Sequence, residues 1–192
     1  MSSHYKTSIL GVIRIDKEIL LQFFNELIIK QDYFECHEIM EEAWKDKEIF
    51  TKEDPEVFFV LIVTGEYHYR RDNIIGARTS YKRALKLYDK HQYDVTAFGF
   101  GAELIEMLQS RFNALAEIPF KPLNYPVDSW VYESLYELYQ DDYESFSAFT
   151  LEILERFEKD ESVIHRHRLR DREDVIEARL EALNRKLEER QR

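Results

Sequence analysis

The chain has 192 residues, of which 44% are hydrophobic and 34% charged, with only five Gly and four Pro. This composition predicts an all-α globular protein and argues against a loop-rich β fold. The net charge of −11 argues against nucleic acid as a partner, because it repels a phosphate backbone. The longest apolar run, residues 57–63, is too short to cross a membrane. The single cysteine excludes an internal disulfide and is typical of a cytoplasmic protein.

Helical spacing of apolar residues, together with capping residues, predicts an antiparallel bundle of about five helices. In chain order these run over about 16–30, 33–45, 55–71, 73–90 and 95–116. Asp54-Pro55 is a strong start for the third helix, with Asp as the N-cap and Pro at the first helical position. That helix is apolar on every side from Val57 to Val63, so we expect it to be central and buried.

Three prolines, Pro119, Pro122 and Pro126, predict a linker. We therefore expect a helical bundle over 1–118 and a helical extension over 119–192, docked on the bundle. The extension is predicted to contain helices at about 129–140 and 142–159, with Asp141 and Glu144 as a capping pair for the second.

The end of the extension is highly charged from Ser162 onward. Ile176, Leu180, Leu183 and Leu187 repeat at four, three and four residues, which predicts a short apolar seam that docks on the body or on a partner chain. The basic run 165–170 is interpreted as a solvated helix start, since acidic residues follow it directly. Four tyrosines at helical spacing predict an exposed aromatic strip of the kind found at interfaces: Tyr132, Tyr136, Tyr139 and Tyr143.

The second helix, Tyr33 to Lys45, carries the most chemically dense motif. At 3.6 residues per turn, Phe34, His37, Glu41 and Trp44 share one face, which we expect to point into the core. A buried His and Glu need partners, because an unsatisfied polar group costs about 1–3 kcal/mol. Cys36, one step away, is expected to act as a small buried hydrophobe.

One hypothesis is that these polar residues bind a divalent metal ion. His37 and Glu41, at i and i+4, could bind one ion together with His68 of the third helix, with Glu38 as the general base of a hydrolase. The zinc-protease pattern His-Glu-x-x-His is not met, because Glu41 occupies the second His position. The di-iron Glu-x-x-His pattern is not met either, because Phe34 stands at its Glu position.

We favour the alternative, a buried hydrogen-bond network around His37, Trp44 and His68. In it, Glu38, Glu41 or Glu42 would meet Arg70 or Arg71. The connection between the second and third helices is short, so they should pack antiparallel. That arrangement would let Glu35 or Glu38 reach one of the two arginines.

The residues 33–44, followed by 67–73 and 76–78, are similar to the bacterial and archaeal domain-of-unknown-function family 309 over roughly residues 16–92. The resemblance implies a small all-α bundle and no particular function. The sequence departs from the family at Asp72, where the family tends to have Gly before Asn. Because Asp tolerates the left-handed conformation, we expect the turn to be kept.

Two functional hypotheses follow. The first is a non-catalytic interaction or scaffold protein that forms a homo-oligomer or binds a protein partner. The second is a metal-dependent, hydrolase-like enzyme that uses His37, Glu41 and His68. Neither hypothesis involves a membrane or a nucleic acid.

Overall fold

The computed structural model describes residues 15–166, and the predicted seam at 176–187 lies outside them. The all-α prediction is confirmed: the described residues form helices joined by turns, with one isolated β-bridge. The helices are α1 Lys17–Phe24, α2 Tyr33–Lys45, α3 Pro55–Arg70, α4 Ile74–His91, α5 Leu104–Ala114, α6 Ser129–Tyr139, α7 Phe146–Glu155 and α8 Glu161–Ile164. Short π and 3-10 helical segments cover Asn25–Lys30, Val95–Phe98 and Gln140–Asp142. Within 15–166 no helix is both long enough and apolar enough to cross a membrane.

Helix α3 is the centre of the bundle, with α2 and α4 packed along it. The predicted antiparallel pairing of α2 and α3 is confirmed, since Phe34 near the start of α2 contacts Tyr67 near the end of α3. Gly65 of α3 lies against the ring of Tyr81, where an added Cβ would come within 2.8 Å of the ring. Close contact at this glycine brings α3 and α4 together.

The turn between α3 and α4 keeps the predicted geometry. Asp72 adopts a left-handed φ of 55°, which Asp accepts more readily than most residues. Asn73 then caps α4, because its side chain accepts a hydrogen bond from the Gly76 amide at 2.9 Å.

The prediction of one helix over 95–116 is wrong. A 3-10 turn ends at Gly99, whose φ is +87°, and α5 begins only at Leu104. The intervening backbone pairs with the proline-rich segment: Gly101 N–H donates to Pro126 O at 2.7 Å, and Phe100 forms a β-bridge with Val127. A non-local backbone pairing therefore interrupts a helical sequence pattern.

The second helix of the extension is shorter than predicted, and its predicted cap is wrong. Ser145, not Asp141 with Glu144, accepts a hydrogen bond from a first-turn amide of α7. The tyrosine strip is half-buried, and Tyr139 donates its hydroxyl hydrogen bond to Asn25 at 2.7 Å. The strip therefore packs partly on the body and is not the exposed surface that was predicted. The division at residue 118 stays a prediction.

Candidate functional site

Helix α2 is rotated relative to the sequence prediction. Its fully buried residues are Tyr33, Cys36 and Met40, whereas all four residues of the predicted inward face are half-buried. Burying the three weakly polar residues avoids the desolvation that His37 and Glu41 would suffer in the core. The His-Glu motif consequently lies along the edge of the bundle. The expectation that Cys36 is a buried hydrophobe is confirmed.

His37, Glu38 and Glu41 form a compact cluster on this edge. One ligand atom from each lies within 4.8 Å of the others. His37 Nδ1 is 3.1 Å from Glu38 Oε1, and Glu41 Oε2 forms a 3.0 Å ion pair with Lys45. Three donors of this type suit a divalent cation. Glu38, the predicted general base, is thus a candidate ligand and the hydrogen-bond partner of His37.

His68 does not join this cluster, contrary to the predicted ligand set. Its Nδ1 lies 3.1 Å from the Asn73 side-chain amide, and its ring lies against Gly76 at the start of α4. His68 therefore faces α4, whereas Thr64, one turn earlier on α3, lies with His37. Partial burial, reinforced by the charge of Arg71, lowers the pKa of His68 below its usual 6.5.

Each of the two arginines at the end of α3 makes a hydrogen bond that the sequence did not predict. Arg70 Nη1 donates to the backbone carbonyl of Gln31 at 2.6 Å, and its guanidinium lies 4.6 Å from the ring of Tyr33. Arg71 Nε donates to His165 Nδ1 at 3.1 Å. Glu35, a predicted partner, pairs instead with Arg166. Arg70 thus contacts the segment just before α2 and the first residue of that helix, and Arg71 contacts the end of the described chain.

The two remaining motif residues lie outside any buried network. Glu42 is exposed and Trp44 is half-buried. Trp44 Nε1 donates to the backbone carbonyl of Thr51 at 2.7 Å, and its ring meets Phe50 edge to face at 5.1 Å. Trp44 therefore stabilises the connection between α2 and α3 through Phe50 and Thr51, and it does not fill the core.

The buried polar network lies elsewhere and was missed from the sequence. The carboxylate of Glu66 accepts hydrogen bonds from Arg111 Nε at 2.9 Å and Nη2 at 3.1 Å, and from the Tyr81 hydroxyl. Arg111 also donates to the backbone carbonyl of Lys121, which ties the proline-rich segment to the bundle. Burial raises the pKa of the Glu66 carboxyl, and Arg111 opposes that rise.

Two sequence signals could have located this network. Glu66 follows closely on the apolar run 57–63 of α3, and Arg111 stands on the inward line of α5 between Leu108 and Leu115. A charged residue at a core position of one helix needs an oppositely charged residue at a core position of another helix. Glu66 and Arg111 form such a pair when α3 and α5 pack together.

A groove of about 610 Å³ opens between α2 and α4, with α3 as its floor. The floor is largely apolar, and basic side chains of α4 line one side, while His37 and Trp44 line the other. Within residues 15–166, neither Arg83 nor Lys86 has an ion-pair partner. The lining residues are His37, Trp44, Lys52, Val57, Val60, Leu61, Thr64, Ser80, Arg83, Lys86, Leu87 and Lys90.

Comparison with known proteins supports the resemblance drawn from the motif. Residues 21–80 match the family model described as a domain of unknown function, DUF309. The family resemblance is confirmed. The chain is also 27% identical over 170 residues to the uncharacterized protein YpuF of Bacillus subtilis, which covers 86% of this chain and 94% of that protein. No solved structure matches.

The DUF309 match covers α2, α3 and the first turns of α4. It therefore includes His37, Trp44 and Ser80 on the groove, whereas Arg83, Lys86 and Lys90 lie beyond it. The buried Glu66 lies inside the match, and its partner Arg111 lies outside it.

Proposed function

We propose that this protein is a non-catalytic interaction or scaffold protein that holds an amphipathic helix of a protein partner in the groove between α2 and α4. The supporting observation is the incomplete cover of α3. From Val57 to Val63 this helix is apolar around its whole circumference, yet Val57, Val60 and the adjoining Thr64 are only half-buried by the described residues. A helix that is apolar on every side is normally covered on every side.

The shape and charge of the groove suit a helix. Antiparallel neighbours on both sides of α3 leave a channel into which a further helix can place side chains at i, i+3, i+4 and i+7. Arg83 and Lys86 would attract a partner helix with glutamates or aspartates along one edge. We also place the protein in the cytoplasm, where the buried thiol of Cys36 stays reduced.

In-cell photo-crosslinking tests this function. A photoreactive residue at Val60 should crosslink to a discrete second protein, whereas the same residue at Arg78, which is exposed on the side of α4 that faces Phe112 of α5, should not. The charge reversal Arg83→Glu with Lys86→Glu should abolish the product. If Val60 gives no product with another protein, even in a variant whose own C-terminal segment has been disrupted, the proposal fails.

A second function, a metal-dependent hydrolase, is supported by the cluster of His37, Glu38 and Glu41. Its ligand set differs from the predicted one, because Glu38 replaces His68. A bound divalent ion there would supply a water of lowered pKa as the nucleophile. Elemental analysis of protein purified without an affinity tag tests this function. A stoichiometric metal that is lost in His37→Ala would support it, and a content near zero in both proteins would contradict it.

A further inference from the structure

The described chain ends beside the open end of the groove. Arg166, its last residue, pairs with Asp32 and lies 3.4 Å from Glu35 at the start of α2. His165, just before it, accepts a hydrogen bond from Arg71 at the end of α3. Because α2 and α3 are antiparallel, these contacts place the chain end near His37, at one end of the groove.

The 26 residues that follow, 167–192, have a regular charge pattern. On a helix of 3.6 residues per turn, their four seam residues form one apolar line. Glu177, Glu181 and Glu188 each follow a seam residue and form an acidic flank. Arg179 and Lys186 each precede one and form a basic flank.

We propose that residues 173–188 are the groove's resident occupant, lying on α3 as a helix antiparallel to it and competing with a partner for this surface. The proposal rests on the proposed function because it takes the same groove. The apolar line would cover Val57, Val60 and Thr64, which residues 15–166 leave half-buried. This contact would be a specific form of the predicted docking of the extension, residues 119–192, on the bundle.

The handedness of the bundle matches the order of the flanks. Gly65 of α3 faces α4, and Tyr67 faces α2. Viewed from the first residue of α3 with the groove uppermost, α4 is therefore on the right and α2 on the left. A helix antiparallel to α3 in the groove presents the positions after its seam residues to the right. Its acidic flank thus faces α4, and its basic flank faces α2.

Both flanks then meet opposite charges. The glutamates after the seam face Arg83 and Lys86, which have no carboxylate partner among residues 15–166. The basic flank faces α2, where Glu38 and Glu41 are half-buried and lie beside His37 of the groove wall. A helix running parallel to α3 would reverse the flanks and bring like charges together, which is unfavourable.

The lengths also agree. From Ile176 to Leu187 the seam spans about 16 Å as a helix, and the α4 wall from Ser80 to Lys90 spans about 15 Å at the same rise per residue. The residues between Arg166 and Glu173 are enough to cross from the start of α2 onto the groove, because an extended chain reaches about 3.3 Å per residue.

Amide hydrogen exchange of the full-length protein tests the proposal. We expect amides of 176–187 to exchange at least about tenfold more slowly than in the variant Ile176→Asp with Leu180→Asp. The charge reversal Arg83→Glu with Lys86→Glu should remove most of this protection. Adding Glu177→Arg and Glu181→Arg to that variant should restore it, and Arg78→Glu, on the side of α4 that faces α5, is the control that should change nothing.

Three outcomes would overturn the proposal: no protection of 176–187 in the wild type, protection that the Arg83 and Lys86 reversals leave intact, or protection that depends on protein concentration. The last would make a second copy the occupant. Each is distinguishable from failure of the proposed function, which is measured by crosslinks to other proteins at Val60. If the thermal midpoint of the variant Arg83→Glu with Lys86→Glu equals that of the wild type, any loss of amide protection at 176–187 is local.

Discussion

At the scale of single residues, the chain separates its polar groups by the partners available to each. His37, Glu38 and Glu41 stay at the bundle edge, where water and neighbouring side chains satisfy them. Glu66 is fully buried and is held by the two parallel hydrogen bonds of Arg111. Burying a carboxylate is tolerable only with such a partner.

Removing one partner of this pair should be costly. We expect Arg111→Ala to lower the free energy of unfolding by about 3–5 kcal/mol, because it leaves the Glu66 charge buried and unpaired. Arg78→Ala is the control: Arg78 is exposed and lies over Phe112, so its loss should cost about 0–1 kcal/mol. Urea denaturation measures both, and equal small losses would contradict a buried charged pair.

Trp44 should contribute less than a core aromatic. The inward orientation predicted from the sequence would imply a loss of about 3–5 kcal/mol for Trp44→Ala, as for a fully buried aromatic. Since Trp44 is half-buried, we now expect about 1–2 kcal/mol by scaling the same values. Tyr33→Ala, at a fully buried position of the same helix, should reach the larger value in the same denaturation experiment. A larger loss for Trp44→Ala than for Tyr33→Ala would support the orientation of α2 that was predicted from the sequence.

His68 should make stability depend on pH. Its pKa is lowered in the folded protein from the usual 6.5, so the unfolded chain takes up the proton first as the pH falls. The stabilisation is therefore fully present above pH 6.5, the pKa of the unfolded chain, and is lost as the pH falls from there through the lower pKa of the folded protein. Unfolding curves of the wild type and His68→Gln across this range should converge toward acid pH, and parallel curves would contradict the assignment.

At the scale of elements, the sequence predicts helices well where their signals are local. Asp32, Asp54-Pro55 and Asn73 are N-terminal signals within a residue of the start of α2, α3 and α4, and the structure begins these helices where expected. The break at Gly99 depends on contacts with residues about thirty positions later. Local periodicity cannot contain that information.

Gly99 should therefore tolerate substitution poorly. Its φ of +87° disfavours a side chain, and a Cβ would lie 2.6 Å from the ring of Trp130. We expect Gly99→Ala to lower the thermal midpoint, with a loss of about 1–3 kcal/mol from backbone strain alone. Ala116→Gly is the opposite case, since Ala116 is exposed with a φ of +74°, and it should be neutral or stabilising. Destabilisation by Ala116→Gly and not by Gly99→Ala would contradict this account.

At the scale of the whole molecule, the sequence located the central helix but not the surface left beside it. Apolar residues on every side of α3 predicted its central place, and its inner side is buried as expected, with Phe58, Phe59 and Val63 at most 1% exposed. The groove arises because α2 and α4 meet α3 without covering its outer side. The rotation of α2 and the closeness of α4 at Gly65 determine this arrangement, and both depend on packing between elements.

A second apolar surface supports the predicted self-association. Leu138, Leu151 and Leu154 on α6 and α7 are 58%, 61% and 45% exposed, and exposed apolar groups of this kind mark interaction surfaces when they lie together. We expect the full chain to sediment as a dimer and the double variant Leu151→Lys with Leu154→Lys to shift toward the monomer.

Two controls make this prediction specific. Glu155→Lys adds the same kind of charge on α7 without removing an apolar side chain, so it should leave the dimer intact. The Arg83→Glu and Lys86→Glu reversal should also leave it intact, because the groove lies on α3 and not on α7. A wild type that sediments as a monomer at every concentration would contradict the predicted self-association. If the dimer were lost only in the variant Arg83→Glu with Lys86→Glu, the dimer contact would lie at the groove on α3 instead.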